Sequence, residues 1–304
     1  MIYKDVPYSI IDVFTKSPFL GNPVAVIRDG TGLGDVEMQS IAAEFGFSET
    51  TFILPSSSTA SVANVRIFTP ITEIPFAAHP NIGTAFAIAT QDTVVDYVAD
   101  EMLVFDELGG EVLVSIEYED SQVTGARIVV PQDLEILGKC DPELLSNCLG
   151  LSSSQLSIDR VEPCVATVGL PFAFVEVVNL AALSTIKVSI PNFDEAKAIG
   201  PETVDGFAVC AFVLVTEASD EINLRTRVFC PLGVPPEDPA TGSASGALAA
   251  LLMPPERNID YRVNIEQGVE KGRPSQITVI MKAYSSRPEI VGSCVTVSTG
   301  FLHL

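Results

Sequence analysis

The chain has 304 residues, of which 47% are hydrophobic and 18% charged, and its formal net charge is −22. That composition belongs to an ordered protein long enough for two ordinary domains, and the negative field argues against nucleic acid as a partner. No apolar run approaches the ~18 residues of a membrane span, and the first residues lack an apolar signal core, so neither a membrane partner nor a targeting segment is expected.

In chain order, Tyr8 to Val13 is rich in β-formers. Gly21-Asn22-Pro23 reads as a turn, and Val24 to Ile27 as the next strand. The glycine-rich stretch from Asp29 to Asp35 has neither the βαβ context of a dinucleotide fingerprint nor the lysine of a P-loop, so it reads as a surface turn. From Val36 to Phe45 the spacing of Met38, Ile41, Ala42 and Phe45 predicts a helix, ended by Gly46. Strands are predicted over 47–55 and 63–68, and a buried helix over 84–90. Further strands are predicted at 111–117, 126–130, 164–168, 173–178 and 210–215, with helices at 142–148, 193–199 and 243–252. The serine-rich stretches at 56 and 152 read as surface loops.

Six cysteines are scattered at 140, 148, 164, 210, 230 and 294, with no C-x-x-C. They read as reduced and buried, which fits a cytoplasmic location. The two histidines, His79 and His303, are too few for a histidine metal cluster. No cofactor is expected, whether flavin, nicotinamide, pyridoxal phosphate or metal.

The most informative feature is an internal repeat. Arg66-Ile67-Phe68-Thr69-Pro70 leads to Ala78-His79-Pro80 and then Gly83-Thr84-Ala85. Half a chain later, Arg227-Val228-Phe229-Cys230-Pro231 leads to Glu237-Asp238-Pro239 and then Gly242-Ser243-Ala244. Aligned on the glycines, His79 falls on Asp238, because each lies four residues before its glycine. Each copy reads as a strand, a His-Pro or Asp-Pro loop and a helix start. Two such helix N-termini, related by a pseudo-twofold axis, could point into one cleft and offer backbone N–H groups to an anion. An anionic substrate needs such help against the net charge. Gly83 and Gly242 would let it approach the backbone, and Thr84 and Ser243 would add hydroxyl donors.

Glu49 is the first candidate for chemistry, a lone carboxylate in Phe47-Ser48-Glu49-Thr50-Thr51-Phe52. Desolvation there would tune it upward, toward moving a proton to or from carbon. A solvated strand-end glutamate is the alternative. His79 could equally be a structural histidine and Asp238 a turn initiator, and their equivalence in the repeat points both toward function. Competing constellations are missing from the sequence. Residues 242–246 carry alanine where a hydrolase nucleophile belongs, there is no H-E-x-x-H, and no cysteine stands at either helix start for a two-thiol racemase.

At these segments the sequence resembles the PhzF-like (phenazine biosynthesis protein-like) family. The likeness extends to Asp12-Val13-Phe14-Thr15, to Gly21-Asn22-Pro23, and to Gln267-Gly268 with Gly272-Arg273-Pro274-Ser275. It implies an α/β (α+β) diaminopimelate-epimerase-like fold of two pseudo-symmetric halves, each a curled sheet around a central helix, with the site in the cleft between them. The expected halves are 1–126 with a tail near 293–304, and 127–292. The resemblance also implies a cofactor-independent isomerase of a dihydroanthranilate-type cyclic acid. Glu49 would shuttle the proton, His79 and Asp238 would support it, and Ser48, Ala78, Pro80, Gly83, Thr84, Gly242 and Ser243 would line the substrate. The family usually has Gly-His-Pro where this chain has Ala78-His79-Pro80, and the extra methyl narrows backbone access to a substrate carboxylate. The expected partner is a small-molecule substrate, and a homodimer is compatible with the sequence. Two alternatives stand beside the isomerase: an epimerase with Glu49 and Asp238 as opposed bases, and a silent small-molecule binding protein.

Overall fold

The computed structural model describes residues 4–96, 98, 102–204, 206–233, 235–253 and 258–304. Its elements begin with β1 (Asp5–Val13), β2 (Asn22–Ile27), α1 (Asp35–Phe45), β3 (Glu49–Pro55), β4 (Ala63–Phe68) and β5 (Glu73–Ile74). Next come α2 (Ala78–Thr90), β6 (Leu103–Glu107), β7 (Gly110–Glu119), β8 (Gln122–Val129), β9 (Glu135–Lys139) and α3 (Pro142–Leu149). Then follow β10 (Leu156–Ser157), β11 (Cys164–Thr167), β12 (Pro171–Val177), α4 (Leu180–Thr185), α5 (Ile190–Ile199) and β13 (Val209–Glu217). The last are β14 (Glu221–Phe229), β15 (Glu237–Asp238), α6 (Gly242–Leu252), β16 (Tyr261–Gln267), β17 (Ser275–Met281) and β18 (Glu289–His303). They form two units, Met1–Pro131 with Val291–Leu304, and Gln132–Ile290. No helix among the described residues is long and apolar enough to cross a membrane.

In the first unit β1 pairs antiparallel with β2 and β18, and β2 runs parallel to β3. The ladder continues antiparallel to β4, parallel to β6, and antiparallel through β7 to β8. Strand β8 then meets β18, so the sheet curls fully round and leaves no open edge in that ring. Helix α2 fills the ring, with every residue from Ala78 to Ile88 buried. A helix without a polar face has to be enclosed, and here tertiary burial holds it rather than capping, since Ala77 supplies no side-chain cap. The outer helix α1 has ordinary local signals. The Gly34 N–H donates to the Glu37 carboxylate at 2.9 Å, and Gly46, at φ 64°, turns the chain out.

The second unit repeats the order. Strands β11 and β12 are antiparallel, β12 and β13 parallel, β13 and β14 antiparallel, β14 and β16 parallel, β16 and β17 antiparallel. Its central helix is α6, buried from Gly242 to Ala249. The architecture is the expected one, two halves that each curl a sheet around a helix.

The register of the repeat differs from the expected one. Arg66 clamps Glu73 through two bonds of 2.7 Å and lies over the Phe68 ring. Arg227 clamps Glu237 through bonds of 2.9 and 3.0 Å and lies over Phe229. Both glutamates begin two-residue strands, in which Glu73 pairs with Phe68 and Glu237 with Phe229. Asp238 therefore corresponds to Ile74, and His79, the second residue of α2, corresponds to Ser243, the second residue of α6. The glycine alignment misleads because α2 starts at Ala78 rather than at 84. Pro80 sits in its first turn, where a missing N–H costs nothing, so His-Pro is helix and not loop. Three residues separate the two-residue strand from the helix in both copies, 75–77 and 239–241, so Asp238-Pro239 falls at the end of its strand and ahead of its helix, whereas His79-Pro80 falls within the helix.

Gly83 accordingly lies well inside α2. A Cβ there would stand 2.5 Å from Val24 Cγ1 and 3.2 Å from Val13 Cγ2. Its role is close packing of helix on sheet, not access for a ligand. Gly83→Ala should lower stability by about 1–3 kcal/mol through overpacking, and Val24→Ala in the same chain should recover part of that loss. Thermal melts of the two variants that show no loss, or no recovery, contradict this packing.

Candidate active site

An eight-residue loop, 14–21, joins β1 to β2 and closes on a glycine. Gly21 has φ 67°, and a Cβ there would lie 2.2 Å from the Val13 carbonyl oxygen, so only glycine fits. The turn delivers Asn22 and Pro23 to the start of β2. The parallel register then sets Val24 opposite Glu49, which places the first residue of β3 beside the same turn. The imidazole of His79 donates to the Pro23 carbonyl from one ring nitrogen. Its other nitrogen, Nε2, faces Glu49 Oε2 at 3.4 Å. The two side chains are 4% and 16% exposed. Burial drives the His79 pKa down to about 3, and the Pro23 carbonyl opposes the shift only in part. The ring is neutral at ordinary pH, with its proton on the nitrogen that faces Pro23. What faces Glu49 is a lone pair, and the contact is favourable only when a proton lies between the two groups.

The structure thus brings Glu49 and His79 together. Ser48 stands just ahead of β3 and is half-buried, while Ala78 and Pro80 flank His79 in the first turn of α2, both buried. Thr84 is not at a helix start. It is fully buried in the second turn, its hydroxyl 2.8 Å from that of Thr51, so it is no donor to a substrate. In the second unit Asp238 ends β15, and its Oδ2 accepts from the Thr241 hydroxyl at 2.5 Å. Gly242 and Ser243 open α6, both buried, with Thr241 at its N-cap. Among the described residues no three His, Cys, Asp or Glu side chains gather as metal ligands. All six cysteines are free thiols and buried, and burial pushes Cys210 and Cys294 upward, away from the thiolate.

Sequence reasoning missed Glu107, Asn81 and Thr241. Glu107 had a readable signal. Leu103, Phe105 and Glu107 share one face of β6, and the first two are apolar. A carboxyl in phase with two core residues points inward.

The phenazine biosynthesis-like protein family model matches residues 11–300. The chain is 33% identical over 304 residues to a trans-2,3-dihydro-3-hydroxyanthranilate isomerase of Pseudomonas chlororaphis, covering 98% of this chain and 99% of the relative. It is 32% identical over 308 residues to a protein of Mesorhizobium japonicum named only as an isomerase, covering 98% of each. Its fold resembles the crystal structure of a Bacillus anthracis phenazine biosynthesis protein of the PhzF family at a TM-score of 0.82 and 23% identity, over 99% of this chain and 100% of the other.

Glu107 yields a test of how dry the interior of the first unit is. It is 7% exposed, and burial raises its pKa from 4.5 to about 8, against a smaller opposite pull from Asn81 on α2. The folded state keeps this proton where the unfolded state loses it. The stability gained from holding it is complete below about 4.5 and is lost as the pH rises through about 8. Glu107→Gln does not titrate, so its melting temperature should gain on that of the native chain between those limits, by the equivalent of at least about 1 kcal/mol. Melting curves that stay parallel from pH 4 to 9 rule out a buried, protonated Glu107.

Proposed function

The chain belongs to the phenazine biosynthesis-like family and is an isomerase, and from that premise we propose that Glu49 is the acid/base that moves a proton on a small carboxylate-bearing or cyclic substrate. His79 is its direct partner, and Asp238 is the carboxylate that the second unit offers to a substrate. Ser48, Ala78 and Pro80 line substrate beside Glu49, and Gly242 and Ser243 beside Asp238, whereas Gly83 and Thr84 pack inside the first unit.

One observation carries this reading: Glu49 Oε2 faces the lone pair of a neutral, buried imidazole at 3.4 Å. A histidine that charged would hold Glu49 as a passive carboxylate. A neutral one makes no ion pair with it, and its bond to the Pro23 carbonyl fixes the ring so that its lone pair is presented to Glu49. The reaction balances with this group alone. Glu49 takes a proton from one carbon, the double bond shifts, and the same carboxyl returns a proton to another carbon. No electron leaves the substrate, so the step needs no redox cofactor. The relative in Pseudomonas chlororaphis is named for such a substrate, an unsaturated cyclic acid, which makes trans-2,3-dihydro-3-hydroxyanthranilate the first compound to try.

Glu49→Gln keeps the shape and removes the proton carrier. It should bind the substrate and lose at least ~10²-fold in turnover. Turnover in D₂O should place deuterium on the product carbon. An equal loss in Asp238→Asn, with deuterium also entering recovered substrate, would instead indicate two opposed epimerase bases. Binding without turnover by the native chain, across a panel of cyclic and acyclic unsaturated acids, would mark a binding protein. Undiminished turnover in Glu49→Gln sinks the assignment.

A further inference from the structure

We propose that Thr241 and Gln267 are positioning residues that hold the Asp238 carboxylate in one orientation for the reaction; this rests on the reading that Asp238 acts on the substrate. Gln267 is the last residue of β16 and is 0% exposed. Its carboxamide uses all four of its hydrogen-bonding positions. The amide nitrogen donates to the Asp238 carbonyl at 2.8 Å and to the Thr241 hydroxyl at 3.0 Å. The amide oxygen accepts from the Thr241 N–H at 3.1 Å and from the Thr226 hydroxyl at 3.4 Å. The amide cannot be turned over, because the Asp238 carbonyl can only accept and the Thr241 N–H can only donate.

That polarity fixes the next bond. The Thr241 hydroxyl receives a hydrogen from Gln267, so its own hydrogen is directed at Asp238 Oδ2, 2.5 Å away. Threonine at an N-cap ordinarily spends its oxygen on the backbone N–H groups of the first turn, a bond that contributes about 1 kcal/mol to stability. Thr241 is the N-cap of α6 and makes no such bond. Its hydroxyl serves the carboxylate instead of the helix. A fully satisfied buried amide, a hydroxyl diverted from capping and a directed bond to one carboxylate oxygen form a chain with one end at Asp238. The loop between is pinned independently, since the Ser275 hydroxyl donates to the Pro239 carbonyl at 3.1 Å.

The test is a set of variants, Thr241→Val, Thr241→Ser, Gln267→Leu and Asp238→Asn, read by crystal structure and by turnover of trans-2,3-dihydro-3-hydroxyanthranilate. In Thr241→Val the Asp238 side chain should leave its single orientation or divide among several, while Thr241→Ser keeps it. In turnover, Thr241→Val should lose about ten- to a hundredfold in kcat with KM nearly unchanged, and Thr241→Ser should restore it. Gln267→Leu should behave as Thr241→Val does; if it fails to fold, Thr241→Val still decides. An Asp238 side chain unmoved in Thr241→Val overturns the proposal whatever the substrate. So does full kcat in Thr241→Val when Asp238→Asn is impaired. Full turnover in Asp238→Asn removes the underlying reading of the site, a separate outcome.

Discussion

A helix enclosed by a curled sheet must be thin, and much else in this protein follows from that constraint. Strands that wrap round a helix leave a narrow channel, and large side chains fit it only at some positions. Both central helices meet the demand with small residues. Helix α2 brings Gly83 so near Val24 that a methyl group would collide, and α6 runs Gly242-Ser243-Ala244-Ser245-Gly246-Ala247. Such helices have no room for a polar face and neither carries a side-chain cap, so their ends depend on the surrounding strands and loops. The residues at those ends are fixed by packing before any chemistry is asked of them, as preorganisation requires.

The same enclosure sets the protonation states. Desolvation disfavours whichever form is charged, so one cause moves two groups in opposite directions. It drives the His79 imidazole down to about 3 and the Glu107 carboxyl up to about 8. With a net charge of −22, the chain has more carboxylates than it can pair, yet burial keeps the Glu107 carboxyl protonated up to about pH 8. A charged imidazole would form an ion pair with Glu49, 3.4 Å away, whereas the neutral ring presents it with a lone pair.

The sequence was most legible where local chemistry decides the outcome. Helix α1 was readable from its apolar spacing and Gly46, and the Gly21 turn from its residue types. The two halves showed through Arg66 with Phe68 and Arg227 with Phe229, because both pairs serve the same clamp. Legibility failed where tertiary context overrides local signals. His79-Pro80 looks like a loop, but proline is harmless in a first turn, so α2 starts at Ala78 and the His79–Asp238 equivalence dissolves. Strand β18, Glu289–His303, is rich in Thr, Ser and Gly and has no strong alternation of its own, and it is ordered by pairing with β1. Thr241 reads as a helix cap by type, and nothing in the sequence shows that its hydroxyl turns to Asp238.

The corrected register shows how the two copies diverged. The clamp is kept in both, Arg66 with Glu73 and Arg227 with Glu237, each fixing a two-residue strand ahead of the central helix. The positions beside the clamp are not kept. Where the first copy has Ile74 and His79, the second has Asp238 and Ser243. A carboxylate at 74 would find Ala77, which has no hydroxyl, where Asp238 has Thr241, in a copy that already holds Glu49 and Glu107. A second imidazole at 243 would need its own carbonyl partner, as His79 needs Pro23, or it would be left with an unsatisfied buried N–H. Each copy thus carries the polar group that its own surroundings can satisfy: the carbonyl of Pro23 for His79, and the hydroxyl and amide of Thr241 and Gln267 for Asp238. The arginine–glutamate clamp is common to both halves, whereas His79 and Asp238 each rely on partners found only in their own half.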